Sequence, residues 1–440
     1  MTFTSTNDPS LRVSLREAVF NGSAADGGLY LPVRIPRLPA ALFANLSTLD
    51  LHQVGYLVMS SLLGDAMPLS VIKAIVDDTL NFKMPVVPIT TRAGLHVMEL
   101  FHGPTMCFKD VGARFMARLV SYLRRGMSSS GTLNVLVASS GDTGSAVANG
   151  FRDVKGVRVI VLYPTGVVNY IQESQFATLG NNVVAVEVNG TFDDCKRLVE
   201  EAFADEKLRG TMALTSATSV NIARLLPQAI YYFHAVGQLQ RAGVDTGRGV
   251  TFAVPCANLG NLASDLLAWR MGLPVKRFLA VENENNIFYR YMTTGNFEPR
   301  PSLSSIAPAL DAGKPGNFAR VAALTGSLQA ARGIIEAHCC NDDDIAGAMR
   351  TAWTRDKYLI DPNTAVAYHA ADSMASADEP TVVLATAHAS KLKHTVEQVL
   401  GIELSLPRQL ARFLEGRRSV TPLQSGYTAF RRFLQHLPAL

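Results

Sequence analysis

Long apolar runs, paired cysteines and an excess of one charge sign are all missing from this 440-residue chain. No uncharged apolar stretch reaches the ~18 residues that would argue for a membrane span. The five cysteines, Cys107, Cys195, Cys256, Cys339 and Cys340, are odd in number and scattered. That pattern offers neither a disulfide framework nor a zinc site of C-x-x-C spacing, and a reducing, cytoplasmic setting is expected with no metal. The first residues, MTFTSTNDPSLRVSLREAVF, hold no apolar h-region, so no secretory signal is expected there. Lys plus Arg number 41 against 37 Asp plus Glu, a balance of +4. So weak a field over this length makes nucleic acid an unexpected partner. Hydrophobic residues make up 48% and charged ones 18%. Such proportions exclude disordered, collagenous and coiled-coil chains and leave a globular protein. At ~100–200 residues per domain, the length suffices for several.

What is present is a strand–helix rhythm. Residues 1–90 show few strong strands and read as a mostly helical region, with a turn at Asp26-Gly27-Gly28. From about residue 131 short apolar runs recur, at Leu133-Asn-Val-Leu-Val-Ala, Val157-Arg-Val-Ile-Val-Leu-Tyr-Pro and Val183-Val-Ala-Val-Glu-Val. Each leads into a helical pattern. The rhythm returns at Gly249-Val-Thr-Phe-Ala-Val-Pro, Arg277-Phe-Leu-Ala-Val-Glu and Thr381-Val-Val-Leu-Ala-Thr-Ala. Alternation of this kind predicts parallel βαβ units, hence an α/β fold with two sheet regions. Residues 284–320 are rich in Pro, Gly, Asn and Ser and are expected as long loops over an active-site mouth.

Ligands of such folds sit beyond the carboxyl ends of the strands. Three strand-end loops therefore matter. Ser139-Ser140-Gly141-Asp142-Thr143-Gly144 has the small residues and following helix that suit an anion, although tight turns share that pattern. Pro255-Cys-Ala-Asn-Leu-Gly260 is a second cradle, weaker when taken alone. Ala385-Thr386-Ala-His388 brings a hydroxyl and an imidazole to a strand end, where a packed or capping histidine is the plain expectation. Lys109 lies among apolar and small neighbours at a helix start. An apolar pocket would lower its pKa and let it form a Schiff base; by spacing alone, a solvated lysine at a helix start is the favoured reading. His338-Cys339-Cys340 has the wrong spacing for a metal and reads as buried helix residues. Asp342-Asp343-Asp344 reads as a turn and helix N-cap, and Arg417, Arg418, Arg431 and Arg432 as a solvated face.

The segment LFHGPTMCFKDVGARFMARL closely resembles the lysine motif of the threonine synthase family, pyridoxal-phosphate enzymes of the tryptophan-synthase-β fold type (fold type II). ADGGLYLP, ASSGDTGSAVA, VLYPTGVVNYIQESQFATLGNNV, SATSVNIARLLPQ, GLPVKRFLAVENENN, LIDPNTAVAY and VLATAHASKLKHTVEQVLG resemble that family's segments in the same order, from about residue 20 to 410. The resemblance implies a small α/β domain at 131–224 and a large cofactor domain made of 91–130 and 225–440. It implies that Lys109 would hold pyridoxal phosphate covalently and later move protons. Cys256, Ala257, Asn258, Leu259 and Gly260 would bind the cofactor phosphate, and Thr386 would face its ring nitrogen. Ser139, Ser140, Gly141, Asp142 and Thr143 would take the substrate carboxylate. Thr105 would also touch substrate, and Asn221 and Arg224 would reach its phosphate. The implied activity is conversion of O-phospho-L-homoserine and water to L-threonine and phosphate, by a monomer or homodimer.

Two departures from the family pattern bear on substrate. The phosphate loop usually reads Ser-Gly-Asn-Phe-Gly-Asp, whereas this chain has Cys256-Ala-Asn-Leu-Gly-Asn261. If the second position needs φ > 0, Ala257 costs ~1–2 kcal/mol; if it needs close approach, the methyl intrudes. Thr218 stands where the family has Asn. These changes open an alternative, a related lyase or β/γ-replacement enzyme acting on another amino acid. A silent protein that binds the cofactor or an anion as a signal is a third reading, opposed by the intact lysine motif.

Overall fold

A computed structural model describes residues 1–125, 131–438 and 440. Its strands, in chain order, begin with β1 (Thr2–Ser5), β2 (Val13–Ser14) and β3 (Tyr30–Pro32), a small antiparallel sheet ordered β2-β1-β3. Next come β4 (Val86–Pro88) and β5 (Leu95–Glu99), then β6 (Leu133–Ala138), β7 (Val157–Pro164), β8 (Val183–Asn189) and β9 (Ala213–Ser216). The set closes with β10 (Val250–Pro255), β11 (Val275–Glu282), β12 (Ile335–Cys339), β13 (Thr381–Ala385) and β14 (Val420–Gln424). They form a larger sheet, β12-β11-β10-β13-β5-β4, and a smaller one, β14-β8-β7-β6-β9. Every pairing in these two sheets is parallel except β4 with β5. Helices cover both faces, so β6, β7, β10 and β13 are buried along their whole length.

The expected α/β fold with two parallel-sheet domains is what the chain adopts, with differences of detail. The N-terminal region does hold helices, Leu51–Leu63 and Leu69–Thr79 among them, but also the small sheet. The C-terminal segment does not belong to the large domain. β14 pairs with β8, and the helix Tyr427–Gln435 buries Phe430 and Leu434 in the cluster that holds Cys195 and Leu198 of the helix Phe192–Ala204. The expected domain boundary at 130 lies outside the described residues. Residues 284–320 are not all loop, because Ile287–Thr294 is a helix and Phe318 begins another that ends at Thr325. His338 and Cys339 lie on β12 instead of a helix; Cys339 is exposed and Cys340 buried.

Candidate active site

Lys109 is the first residue of the helix Lys109–Leu123, and backbone pairing fixes what stands beside it. The chain leaving β13 binds the approach to that helix: Phe108 N donates to Thr386 O (2.9 Å) and His388 N to Met106 O (3.1 Å). Thr386 is thereby set next to Lys109, and both line one pocket. Gly112, one turn into the helix, lets the short helix Ile222–Leu225 lie against it; a Cβ there would stand 2.7 Å from Arg224 O. Close approach of this kind is what glycine permits. Arg224 lines the same pocket, with Ser219, Gln228 and the turn Ala257–Asn261.

A second wall carries a charged trio. Asp142 begins the helix Asp142–Phe151, directly beyond β6. Its Oδ1 accepts from Lys391 Nζ and from Gln172 Nε2, both at 2.9 Å, while Lys109 Nζ stands 3.6 Å from Oδ2. Burial alone would raise the Asp142 carboxyl, but the Lys391 and Lys109 ammonium groups outweigh it and hold it well below the usual range. Lys391 is buried and donates also to Thr105 O (2.7 Å) and Gln175 Oε1 (2.8 Å). Burial would pull its ammonium down, yet Asp142 raises it overall. Lys391 is the residue that sequence reasoning missed. A lysine in Ser390-Lys-Leu-Lys shows no pattern of burial, and only the fold brings it to Asp142.

A third wall is the turn after β10. Leu259 adopts the left-handed region (φ 55°, ψ 11°), which costs about 1–2 kcal/mol for a residue with a side chain. Ala257 is not among the positive-φ residues, so the conditional strain expected there falls on Leu259 instead. The helix Gly260–Arg270 starts at once, and its first amides have no partner within the helix. Asn261 accepts at Oδ1 from Tyr231 and Tyr232 (2.6 Å for the latter), leaving its buried Nδ2 unpaired. Arg224 Nη1 donates to Ala217 O (2.8 Å), and its buried Nε also lacks an acceptor. Burial pulls the Arg224 guanidinium down to about 10, still charged at neutral pH.

Several expected site residues are placed elsewhere. Thr105 is fully buried and spends its amide and hydroxyl on Asp110 (2.8 and 2.7 Å). Ser139 accepts the amides of Gly141 (3.0 Å) and Gly144 (2.7 Å), shaping its loop from inside. Asn221 donates to Val19 O and Ser216 O and caps the Ile222 helix through Ala223 N, so no polar group is left over. These three, with Ser140, Gly141 and Cys256, are not among the pocket-lining residues; Lys109, Asp142, Thr143, Arg224, Ala257, Asn258, Leu259, Gly260 and Thr386 are. Thr218 also stays off the lining, its hydroxyl accepting from Ser216 (3.2 Å), while its neighbour Ser219 takes the wall. His388 caps the turn Ala389–Leu392, its Nδ1 accepting from Ser390 N (3.1 Å).

Residues 84–387 match the family model described as pyridoxal-phosphate dependent enzyme, and residues 2–80 and 364–434 match those for the threonine synthase N terminus and C-terminal part. The chain is 36% identical over 402 residues to threonine synthase of Haemophilus influenzae, covering 91% of this chain and 92% of that one. It belongs to the threonine synthase family. Threonine synthase of Escherichia coli has the same fold, with a TM-score of 0.91 at 34% identity over 99% of each chain. Pyridoxal-phosphate-bound threonine synthase of Brucella melitensis gives 0.90 at 31%, again over 99% of each. The chain is accordingly a pyridoxal-phosphate-dependent enzyme, and its pocket fits the cofactor on its own chemistry. One side offers a primary amine for an aldehyde. The other offers a helix N-terminus with the unpaired buried amide of Asn261 beside it, which suits a phosphate. Among the described residues no helix is long and apolar enough to cross a membrane, and no cluster could hold a metal ion.

Proposed function

We infer that this chain converts O-phospho-L-homoserine and water to L-threonine and phosphate. The γ-phosphate leaves first and water then adds at Cβ. The observation that carries the reading is one pocket holding Lys109, the buried guanidinium of Arg224 and the Ala257–Asn261 turn. Pyridoxal phosphate, when bound, supplies the sink for electron density released at the substrate carbons. Lys109 Nζ would hold it and then carry protons to and from the substrate carbons. Asp142 supports that work without locking the amine, because Lys391 takes its closest contact and leaves Lys109 at 3.6 Å. We assign the cofactor phosphate to Ala257, Asn258, Leu259, Gly260 and Asn261, and the ring nitrogen to Thr386, a neutral partner that does not enforce ring protonation. The Thr143 hydroxyl and the first backbone amides of its helix would receive the substrate carboxylate, while the ionised Asp142 side chain stays with Lys391 and Lys109. Arg224 would bind the leaving phosphate, a charge-assisted contact that strengthens as negative charge collects on the departing oxygen. Ser139, Thr105, Asn221 and Lys391 act behind this layer as positioning residues. The phosphorylated amino acid is the partner molecule, and five free cysteines suit a reducing cytoplasm.

The test is formation of L-threonine and inorganic phosphate by the purified holoenzyme. Lys109→Ala is expected to lower turnover by at least about 10³-fold. Arg224→Gln is expected to raise KM for the phosphorylated substrate by roughly 10- to 100-fold, with little effect on cofactor retention. A wild-type protein that retains cofactor yet makes no threonine would point to another amino acid. The site gives that alternative little support, since Thr218 lies off the pocket wall and Ala257 does not take up positive φ.

A further inference from the structure

The left-handed Leu259 sits between Asn258 and the first residue of the helix whose N-terminus faces the pocket. Backbone of that kind persists in a branched residue only where neighbours over-determine it. Here the neighbours come from the segment Gly316–Arg320. Asn258 O accepts from both Asn317 N and Asn317 Nδ2 at 3.0 Å, and Asn258 Oδ1 accepts from Gly316 N at 3.2 Å. Asn317 is in turn held by Arg320, whose Nη1 donates to Asn317 Oδ1 at 2.7 Å. The other arms of that guanidinium reach Val220 O (2.6 Å) and Tyr30 O (3.1 Å).

Arg320 is fully buried, and its acceptors are two carbonyls and one amide, with no carboxylate among its partners in the described residues. Sinking a charge without a counter-charge is unfavourable, and an apolar side chain would fill the space at less cost. What an apolar residue could not do is fix three segments at once: β3 through Tyr30, the approach to Asn221 through Val220, and the Asn258 turn through Asn317. The rigid fork of arginine is suited to that task, and a lysine is not. The same unneutralised charge also stands behind a wall whose amides suit an anion.

We propose that Arg320, acting through Asn317, is a positioning residue that holds the Asn258–Leu259 turn in the shape that offers its helix-start amides to the cofactor phosphate. The inference rests on the pocket being the pyridoxal-phosphate site. It requires the clamp to matter for the phosphate and not for the rest of the cofactor, and to matter less when the turn carries no strain.

Equilibrium dialysis of the purified protein, with bound cofactor followed by absorbance, gives Kd for pyridoxal phosphate and for pyridoxal, which lacks the phosphate. Arg320→Lys and Asn317→Ala are each expected to weaken pyridoxal phosphate by about tenfold or more while changing pyridoxal less than about twofold. In the Leu259→Gly background, where the left-handed turn is unstrained, the loss from Asn317→Ala should shrink to about threefold or less. Packing lost with the leucine side chain is common to both members of that comparison and cancels. Circular dichroism checks folding, and if Arg320→Lys does not fold, Asn317→Ala carries the test. An unchanged Kd, an equal loss for both ligands, or an equal loss with and without Leu259 would each overturn the proposal. Failure of the wild type to bind pyridoxal phosphate would instead remove the pocket reading on which it stands.

Discussion

A buried lysine, a partly exposed one and a buried carboxylate decide how the site is charged. Asp142 has a depressed folded pKa, so its contribution to stability is present above its unfolded value of 3.8 and is lost as pH falls below that. Lys391 is shifted the other way, so its contribution is present at neutral pH and is lost only as pH rises beyond 10.5. Lys391→Met leaves Asp142 buried beside Lys109 alone, at 3.6 Å. Loss of one partner of a buried pair is expected to cost about 3–5 kcal/mol. The acid limb of a Tm-against-pH curve should also move to higher pH, since Asp142 then takes up its proton sooner. An unmoved acid limb would show that Lys391 does not hold Asp142 ionised. Glu282, at the end of β11, behaves oppositely. Its Oε2 accepts from Tyr289 N at 2.7 Å, its Oε1 has no partner, and burial pushes its carboxyl up to about 8. Ionising it therefore weakens the fold progressively as pH rises from about 4.5 to about 8. Glu282→Gln should match the wild-type Tm near pH 4 and exceed it by several degrees at pH 8. The same pair of curves measured by thermal unfolding checks it.

Secondary-structure elements were legible where both faces of a strand are buried. Val157–Pro164 and Val250–Pro255 are near-continuous apolar runs because helices cover them on each side. Edge and short strands were not. β5 carries His96, β12 carries Glu336 and His338, and β14 contains Pro422, residues that read as breaks in a strand pattern. Pro422 is tolerated because β14 is the outer strand of its sheet, paired on one side with β8. The helix after it makes the attachment. Phe430 and Leu434 are fully buried, and Arg431 reaches Asp205 at 2.9 Å, so what looked like a solvated basic face is half an interface. Phe430→Asp is expected to cost about 3–5 kcal/mol, combining a lost aromatic with a buried charge. Release of β14 would then bare the edge of β8, a template for pairing between chains. Lower Tm together with light scattering from aggregates is the expected result; a soluble variant of wild-type Tm would deny the segment its structural role.

At the scale of the whole molecule the two sheets are not independent bodies. One apolar cluster includes Phe3 and Tyr30 of the N-terminal sheet, Phe115 of the Lys109 helix, Val135 of β6 and Phe252 of β10. The pocket lies among loops from both sheets, with Asp142 supplied from beyond β6 and Thr386 and Ala257 from beyond β13 and β10. Calorimetry of the purified protein is expected to show a single endotherm. Its midpoint should rise with added pyridoxal phosphate, because a ligand that binds the folded state alone stabilises it by mass action. Two resolved endotherms, with the cofactor shifting one, would mean that the shared core does not couple the domains.

What the chain order carries by itself is local. The βαβ rhythm and the strand-end loops depend on neighbours a few residues apart and were enough for the fold class; the cofactor and the family came from the resemblance of eight ordered segments, the Phe-Lys-Asp lysine motif among them. Contacts across hundreds of residues left no such trace. Lys391 meets Asp142, Arg320 meets Tyr30, and β14 meets β8 because the folded backbone brings them together. The same holds for what was removed from the site. Thr105, Ser139 and Asn221 have the right chemistry for substrate, but burial obliges their polar groups to satisfy nearby backbone and side-chain partners first. Only tertiary structure decides which polar groups are already spent and which remain free for a ligand.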